Sequence, residues 1–530
     1  MTIKNAKFFV FMVLSIAALL RLWNLGNYPP LNADEAAIGY NAYSILETGR
    51  DEHGDFLPLH FKSFGDYKPG LYFYLAMPFV KILGLNEWAV RLPSALLGIA
   101  TVYLVYLLAK LLWNNETFGI IWAFILTISP WHIHFSRGGW ESNTALFFIL
   151  FGVYLFYKLK VNPPAGGEES RVKLRIKSFW IVLLPFIFSL YTYHSARIIA
   201  PVLFLGLVVF NWKFVWKNKK QFLITGFVGF LLLIPLVFSF LKGGAGTRFS
   251  GVGIFADTGP LWRVNELINH HQLKGFPFFR IIHNKIVIYA ISFFQKYFSH
   301  FDGDFLFISG DSVPRSKLPE MGVMHLIEAP FLILGIWLWL RSKKDHNYLP
   351  FLWLLVAPIA SALTFQAPSA LRALSMVIPL TFFVSYGILK ILKLLSMNYE
   401  LINEKKRGCF NFILHTSYFI LIWFYGWSFL YWKDAYFNHY LKRYPSAWPD
   451  FKPIAEQLIK EKDSGQKVCI ETNVDQPYIL TLFYLKYPPE KIQKEIKLTP
   501  PDKFGFSTVK NFGKYQFGDC EGFDGKIIQS

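Results

Sequence analysis

The segments LNADE (residues 31–35), GDYKP (residues 65–69) and RLP (residues 91–93) follow the first apolar run of the chain. They place two acidic clusters and two basic residues in one loop of a sequence that is otherwise very apolar. Charged side chains at a membrane face are costly unless they are paired or used. The spacing therefore indicates a site where an anionic, lipid-linked donor meets a base.

The composition is that of a membrane protein. Of the 530 residues, 53% are hydrophobic, 19% are aromatic and only 17% are charged. Apolar runs of the length needed to cross hydrocarbon recur along the chain, which predicts an all-α polytopic membrane protein. The formal net charge is +19. Because the basic residues gather in short loops between apolar runs, membrane topology explains this charge better than nucleic-acid binding does, and no nucleic-acid partner is expected.

Eleven apolar runs are predicted to span the membrane. They are residues 7–25, 92–112, 117–130, 143–158, 178–194, 197–213, 221–241, 325–341, 348–365, 373–395 and 410–432. With this number, every strongly basic loop falls on the cytoplasmic side, as the positive-inside rule requires. The loops 26–91 and 242–324 and the C-terminal tail then lie on the opposite face. We therefore expect a multi-pass protein of the cytoplasmic membrane.

The C-terminal tail differs from the rest of the chain in its pattern of apolar and polar residues. Residues 1–435 are predicted to form the transmembrane domain, and residues 436–530 a small extracytoplasmic α/β domain with helix and strand patterns in alternation. Cys469 and Cys520 both lie in this tail. They could form a disulfide if the compartment is oxidising, but spacing alone leaves the bond open.

Asp34 and Glu35 permit two interpretations. Asn32 followed by Glu35 three residues later is typical of a helix start, where acidic residues also suit the positive end of the helix. A carboxylate fixed in that first turn is also well oriented to accept a proton. The run from Ala36 to Leu46, closed by Gly49, is then expected to be a helix lying along the membrane interface.

The basic residues of the same loop also have two interpretations. Lys68 either extends to lipid headgroups or binds a lipid phosphate as a point charge, beside Asp66 as an acid. Arg91 either anchors the outer end of the second span or takes part in the same site.

The second outer loop contains His132, His134, Arg137 and Glu141. The two histidines resemble a metal pair, but no third ligand is placed by the sequence, so a divalent metal is left open as a cofactor. Arg137 and Glu141 are four residues apart and could pair on a helix turn, while Glu141 is also a candidate second acid.

Further polar residues mark other outer corners. Arg197 and Arg372 either anchor span ends or bind phosphate through two parallel hydrogen bonds, and Tyr191 and His194 accompany Arg197. The loop 242–324 is expected to provide mostly fold and acceptor contacts. Its polar residues are His300, Asp302, Asp304, Asp311 and Arg315.

Taken together, the acidic pair after the first span, the Tyr-Lys-Pro turn, the Arg-Leu-Pro segment and the long outer loop resemble membrane glycosyltransferases of the GT-C class. The nearest resemblance is to glycosyltransferase family 39, which includes protein O-mannosyltransferases and the bacterial lipid A aminoarabinose transferase. The resemblance implies a GT-C fold of about eleven transmembrane helices. It also implies a hexosyl or pentosyl transferase (EC 2.4 type) that moves a sugar, with inversion, from a polyprenyl-phosphate donor to a lipid, protein or glycan acceptor.

The resemblance also implies roles for individual residues. Asp34 matches the catalytic loop acid and would be the general base, with Glu35 assisting it. Lys68 matches the basic residue near the donor phosphate. Tyr67 stands where the aminoarabinose transferase has a glutamate, so Asp66 or Glu141 is the alternative second acid. The remaining substrate-binding candidates are Arg91, Arg137, Tyr191, His194, Arg197 and Arg372.

A transporter or flippase of lipid-linked saccharides is the alternative function. Transporters tend to place functional charge near the middle of the bilayer and are often built from repeated halves. In this sequence the charges cluster outside the spans and no repeat is visible, which favours an enzyme.

Overall fold

The computed structural model describes residues 3–161, 168–241, 253–273, 278–342, 348–401, 404–500 and 507–529. The chain is mostly helical. Its α-helices are α1 (Ile3–Leu22), α2 (Ala33–Thr48), α3 (Leu71–Leu83), α4 (Glu87–Trp113), α5 (Glu116–Ile128), α6 (Pro130–Ser136), α7 (Glu141–Val161), α8 (Glu168–Thr192), α9 (Ala196–Phe210), α10 (Trp212–Lys217), α11 (Lys219–Leu241), α12 (Gly259–Leu273), α13 (Phe279–Ile282), α14 (Lys285–Phe298), α15 (Glu328–Arg341), α16 (Leu349–Val356), α17 (Ile359–Ala362), α18 (Val377–Leu401), α19 (Glu404–Asp434), α20 (Tyr440–Arg443), α21 (Lys452–Lys460), α22 (Pro477–Leu485) and α23 (Pro489–Glu495).

The strands are short and lie outside the helical bundle. They are β1 (His60–Ser63), β2 (Asp66–Pro69), β3 (Val468–Glu471), β4 (Asn511–Phe512), β5 (Tyr515–Phe517) and β6 (Lys526–Gln529). The first two form an antiparallel hairpin in the first outer loop. The other four form a sheet of order β4-β5-β3-β6, in which β3 runs parallel to both of its neighbours.

Each predicted span overlaps a helix or a helix pair of the structure. In the part of the chain that the structure describes, five helices are long and apolar enough to cross a membrane. The number becomes six if α5 and α6, which meet at a 63° bend, form one span. Shorter apolar helices, including α3 and α9, accompany them. The chain is therefore a multi-pass membrane protein, as predicted, while the total of eleven spans stays a prediction.

The bundle core joins α1, α4, α5, α7, α8, α9, α15 and α18 through one cluster of buried apolar side chains. The helices α15 and α18 approach most closely at two glycines. A Cβ atom at Gly335 would clash with the backbone oxygen of Phe383, and one at Gly387 would clash with that of Phe331. Small residues of this kind allow two membrane helices to pack backbone against backbone.

Helix α2 begins and ends where the sequence predicts. The Asn32 side chain accepts a hydrogen bond from the Glu35 N–H (3.0 Å), and the Glu35 carboxylate accepts one from the Asn32 N–H (3.4 Å). Gly49 ends the helix with φ 70°, a left-handed conformation that suits glycine. Most residues of α2 are buried within the protein, so its apolar side packs on protein, and a position along the membrane interface stays a prediction.

The cover of α2 comes from the end of the chain. Helix α22 packs directly on α2, and a Cβ atom at Gly39 would lie 2.5 Å from the Phe483 ring. Ala36 and Tyr40 of α2 belong to the same buried cluster as Leu458, Val468 and Phe483. Residues 436–530 do contain helices and a sheet, but their hydrophobic core is shared with the first outer loop. That they form a separate domain therefore stays a prediction.

A disulfide joins Cys469 in β3 to Cys520, which follows β5. The two Cα atoms are 5.9 Å apart. The sequence left open whether these two cysteines are bonded, and the structure contains the bond.

The loop after α2 buries an acidic cluster. Asp51 and Glu52 are both fully buried, and Asp51 Oδ1 accepts hydrogen bonds from the backbone N–H groups of His53 and Asp55 (both 2.9 Å). Burial raises the pKa of Asp51 to about 6. Burial alone would lower the pKa of His53, but the hydrogen bond and charge of Glu52 outweigh it and raise that pKa.

These shifts predict that the contribution of this loop to the free energy of unfolding decreases as the pH rises. An acid or a histidine with a raised folded-state pKa contributes stability that is present at low pH and is lost as the pH rises through that pKa. For Asp51 we expect this loss between about pH 4 and pH 7, measured as the difference in melting temperature between wild type and variant in detergent. Asp51→Asn keeps the hydrogen-bond acceptor and removes the charge. It should therefore flatten this dependence and stabilise the protein at pH 8 by on the order of 2 kcal/mol.

The control for this experiment is Glu47→Gln, which removes an exposed charge from the last turn of α2, just before this loop. Its pH dependence should follow that of the wild type. Identical slopes for Asp51→Asn and the wild type would contradict the assignment of the titration to the buried loop.

Candidate active site

The Asp34 carboxylate is the centre of a charged cluster at one end of the bundle. It lies in the first turn of α2, and its side chain is 39% exposed. The ammonium group of Lys68 forms an ion pair with Asp34 Oδ1. On the other side, the Arg315 guanidinium lies 3.8 Å from Asp34 Oδ2. One exposed carboxylate is thus placed between two cations from different parts of the chain.

The β1–β2 hairpin positions Lys68. The turn passes through Phe64 and Gly65, both with positive φ, and Lys68 pairs in register with Phe61. The Lys68 side chain is only 10% exposed, and its ammonium group lies 5.3 Å from the centre of the Phe64 ring. The hairpin therefore holds the cation beside Asp34 and limits its freedom to extend into solvent.

Arg315 belongs to the long outer loop but is positioned by residues that follow α19. Its Nε–H donates to the carbonyl oxygen of Ala447 (3.3 Å), and its guanidinium lies over the Trp448 ring at 5.9 Å. The carbonyl oxygen of Arg315 accepts hydrogen bonds from Tyr440 Oη (2.7 Å) and His134 Nε2 (3.1 Å). Because Arg315 is remote from Asp34 along the chain, no sequence pattern indicated this role.

A small cleft lies beside this cluster. Its walls combine the start of α2, the long outer loop and the C-terminal segment. The lining residues are Leu31, Asn32, Ala33, Arg315, Trp448, Pro449, Val474, Asp475 and Leu480. Partial burial raises the pKa of Asp475, and the negative charge of Asp34 raises it further, whereas Arg315 and Lys68 act in the opposite direction. Asp475 is therefore close enough to sense all three charges of the cluster.

Glu35 and Arg91 form a buried pair behind the site. Arg91 donates from Nε to Glu35 Oε1 and from a terminal nitrogen to Oε2, both at 2.7 Å. The Gly139 N–H donates to the same carboxylate (2.9 Å). The remaining donors of Arg91 reach the carbonyl oxygens of Leu25, Pro29 and Pro30. These contacts fix α2 to α4. A catalytic role for Glu35 and a phosphate-binding role for Arg91 stay predictions.

Arg137 makes a similar buried attachment. One terminal nitrogen donates to the carbonyl oxygens of Leu20 (2.9 Å) and Trp23 (2.8 Å) at the end of α1, and the other donates to that of Tyr28 (3.3 Å). Glu141, the alternative second acid, begins α7 and is half-buried. The Arg137 guanidinium is thus directed at backbone oxygens at the end of α1 and at the start of the loop that follows it.

A second basic cluster joins two of the predicted residues, Arg197 and His194, to His60. Arg197 hydrogen-bonds to His194 Nδ1 (2.9 Å) and to His60 Nε2 (2.8 Å), and His60 Nδ1 contacts Ser239 Oγ (2.7 Å). Burial, with a further contribution from Arg197, lowers the pKa of His60 to about 4. His60 stands opposite Pro69 in the hairpin, next to Lys68, so the hairpin connects the two clusters. The sequence did not single out His60.

The other predicted residues make local contacts. Tyr191 Oη donates to the Leu232 carbonyl oxygen (2.6 Å), which joins α8 to α11. Asp66 accepts from the Tyr67 N–H (2.8 Å) at the start of β2. Arg372 donates to the Gln366 carbonyl oxygen (3.1 Å) within its own loop.

The two histidines considered as a metal pair have different partners. His132 Nδ1 lies 2.7 Å from a terminal nitrogen of Arg21, whereas His134 contacts the Arg315 carbonyl oxygen. Among the described residues, no group of three or more His, Cys, Asp or Glu side chains is arranged to hold a metal ion.

Comparison with solved structures gives the fold. The chain superposes on ArnT from Cupriavidus metallidurans with a TM-score of 0.53 in the apo state and 0.55 in the state bound to undecaprenyl phosphate. The alignment to the apo state covers 91% of this chain and 85% of ArnT, at 12% sequence identity. The chain has a GT-C fold. A second protein with this fold, the oligosaccharyltransferase AglB from Archaeoglobus fulgidus, aligns with a TM-score of 0.50 over 90% of this chain and 64% of AglB, at 13% identity.

Sequence comparison agrees with the GT-C fold. Residues 11–241 match the family model of dolichyl-phosphate-mannose-protein mannosyltransferases. An uncharacterised protein of Aquifex aeolicus (strain VF5) is 26% identical over 226 residues, which is 42% of this chain. The matched region spans 41% of that relative. The resemblance to the GT-C class and family 39 that the sequence motifs indicated is therefore confirmed.

Proposed function

We propose that this GT-C protein is a glycosyltransferase that moves a sugar from a polyprenyl-phosphate donor to an acceptor at the outer face of the cytoplasmic membrane. The observation that supports this proposal most directly is the position of the Asp34 carboxylate, which is partly exposed between Lys68 and Arg315 at the edge of a cleft. Lipid phosphates are also ligands of proteins with this fold, since ArnT has been solved with undecaprenyl phosphate and AglB with a dolichol-phosphate and an inhibitory peptide.

Lys68 and Arg315 have the chemistry needed for the leaving group. When the bond between the anomeric carbon and the phosphate oxygen breaks, the electron pair stays on the phosphate. Preformed cations aimed at this developing charge stabilise the transition state more than the ground state. Lysine supplies a point charge and arginine a planar fork that fits two phosphate oxygens, so the two residues complement each other.

Asp34 is the proposed general base. The acceptor oxygen attacks the anomeric carbon from the side opposite the phosphate, which inverts its configuration. The hydroxyl proton passes to the Asp34 carboxylate as the new bond forms. In the donor-free protein, Lys68 pairs with Asp34. A donor phosphate that draws Lys68 away would release this carboxylate from the ion pair at the moment when a base is required.

An outer location of the site is consistent with two features of the chain. The strongly basic loops fall on one side of the predicted spans and the charged cluster on the other. The Cys469–Cys520 disulfide is typical of a segment that meets an oxidising compartment. The proposed acceptor is a lipid, a protein or a glycan exposed on that face.

The direct test is sugar transfer from a radiolabelled polyprenyl-phosphate sugar by the purified protein, with Lys68→Met and Arg315→Met as variants. Each should lower the rate by about 100-fold or more, because each removes a charge that stabilises the leaving phosphate. The matched control is Lys62→Met in the same hairpin. Lys62 is adjacent in the strand to Phe61, the register partner of Lys68, so its side chain is directed to the opposite face.

Lys62→Met should retain nearly the wild-type rate. Failure of the wild-type protein to transfer sugar from hexosyl or pentosyl donors would refute the proposal. Movement of the intact donor across a liposome bilayer without transfer would favour the transporter instead.

A further inference from the structure

The turn that carries Asp475 forms one wall of the cleft beside Asp34. Val474 and Asp475 line the cleft from the C-terminal segment, opposite Asn32 and Ala33 at the start of α2. The cleft is thus lined by Arg315, one of the two cations of the site, and by a second carboxylate that the proposed transfer reaction does not use.

The position of Asp475 is fixed by the same core that fixes Asp34. The preceding Val474 N–H donates to Thr472 Oγ1 (3.2 Å), and the Gln476 side chain donates to the Ser507 carbonyl oxygen (3.4 Å). Helix α22 starts directly after this turn at Pro477 and packs on α2. Asp34 therefore lies in the first turn of α2 and Asp475 two residues before α22, and the packing of these two helices sets the relative position of the two carboxylates.

The geometry points to Asp475 as a specificity-determining residue that selects a non-acidic sugar. This inference rests on the proposed function. With the donor phosphate held by Lys68 and Arg315, the sugar occupies the part of the cleft that remains, next to Asp475. A carboxylate there accepts hydrogen bonds from sugar hydroxyl groups or from an amino group. It repels the carboxylate of an acidic sugar, and repulsion of this kind is an effective way to exclude a wrong substrate.

Asp475 is suited to distinguish neutral from acidic sugars because its negative charge adds to that of Asp34. An acidic sugar would place a third negative charge near two carboxylates, while both cations are already occupied by the phosphate. A neutral sugar meets no such repulsion and gains hydrogen bonds. A site built to hydrogen-bond its substrate discriminates strongly against an analogue that leaves its polar groups unpaired.

The test compares transfer from a polyprenyl-phosphate hexose with transfer from the matching hexuronic acid donor. The wild type should prefer the hexose by about 30-fold or more, and Asp475→Asn should reduce this preference by about tenfold, mainly through faster use of the acidic donor. Asp475→Glu keeps the charge and should keep the preference. The control Asp524→Asn removes an exposed charge elsewhere in the same segment and should leave the ratio unchanged.

The outcomes separate this inference from the proposed function. Transfer by the wild type with the same hexose preference in Asp475→Asn overturns the role of Asp475 alone. Absence of transfer by the wild type from both donors overturns both. A loss of preference in Asp475→Asn, retained in Asp475→Glu and Asp524→Asn, supports the assignment, because a merely structural role would lower both rates equally.

Discussion

Replacing Asp34 with asparagine is expected to abolish sugar transfer while the protein remains folded. The amide cannot accept the proton of the acceptor hydroxyl, and loss of a general base lowers rates by about 100- to 10,000-fold. The ion pair with Lys68 lies at a partly exposed carboxylate. Asparagine keeps an acceptor for the Lys68 ammonium, whose side chain is only 10% exposed, so the free energy of unfolding should fall by about 1–3 kcal/mol. Initial rates and melting temperatures of the purified variant measure the two effects separately.

Asp66→Asn is the informative companion to this variant. Asp66 lies on the same hairpin as Lys68 and is the alternative acid that the sequence suggests. If Asp34 is the base, Asp66→Asn keeps most of the activity. Full activity of Asp34→Asn would reject Asp34, and a selective loss in Asp66→Asn would transfer the role to that residue.

The second large effect is expected on stability, from Arg91→Met. This variant leaves the buried Glu35 carboxylate without its guanidinium partner. It also removes the N–H groups that donate hydrogen bonds to three backbone carbonyl oxygens. Breaking a buried ion pair by removing one partner typically costs about 3–5 kcal/mol. We expect a much lower melting temperature in detergent, with loss of activity following from loss of the folded site.

A matched control lies on the same helix. Lys110, near the end of α4, pairs with Glu116 at 2.6 Å, and both side chains are substantially exposed. Lys110→Met should therefore lower the free energy of unfolding by about 1 kcal/mol or less. If Arg91→Met kept the wild-type melting temperature but lost transfer, Arg91 would act in the chemistry, as the sequence originally suggested.

The sequence predicted local structure well because the relevant signals are local. Asn32 and Glu35 form the capping interaction expected from their spacing, and each apolar run overlaps a helix. A joint catalytic role of Asp34 and Glu35 stays a prediction, but the two side chains have different surroundings. Consecutive side chains on a helix point about 100° apart. Asp34 is therefore partly exposed beside Lys68, while Glu35 is buried against Arg91.

Contacts between distant parts of the chain could not be predicted in this way. Arg315 and Asp475 reach Asp34 only because the long outer loop and the C-terminal segment meet above α2. Nothing in their neighbouring residues distinguishes them from ordinary polar surface positions. Similarly, the pattern of α2 indicates that one face must be covered. Whether lipid or protein covers it depends on α22, which lies more than four hundred residues further along the chain.

The core shared by α2 and α22 has a consequence for biosynthesis. Helix α2 is made more than four hundred residues before the apolar partners that bury it, among them Tyr478 and Phe483. A nascent chain therefore carries Asp34 on an incompletely packed helix while the bundle is being inserted. If Asp34 is the base, a product that stops before α22 should lack transfer activity even with every residue of the N-terminal half in place.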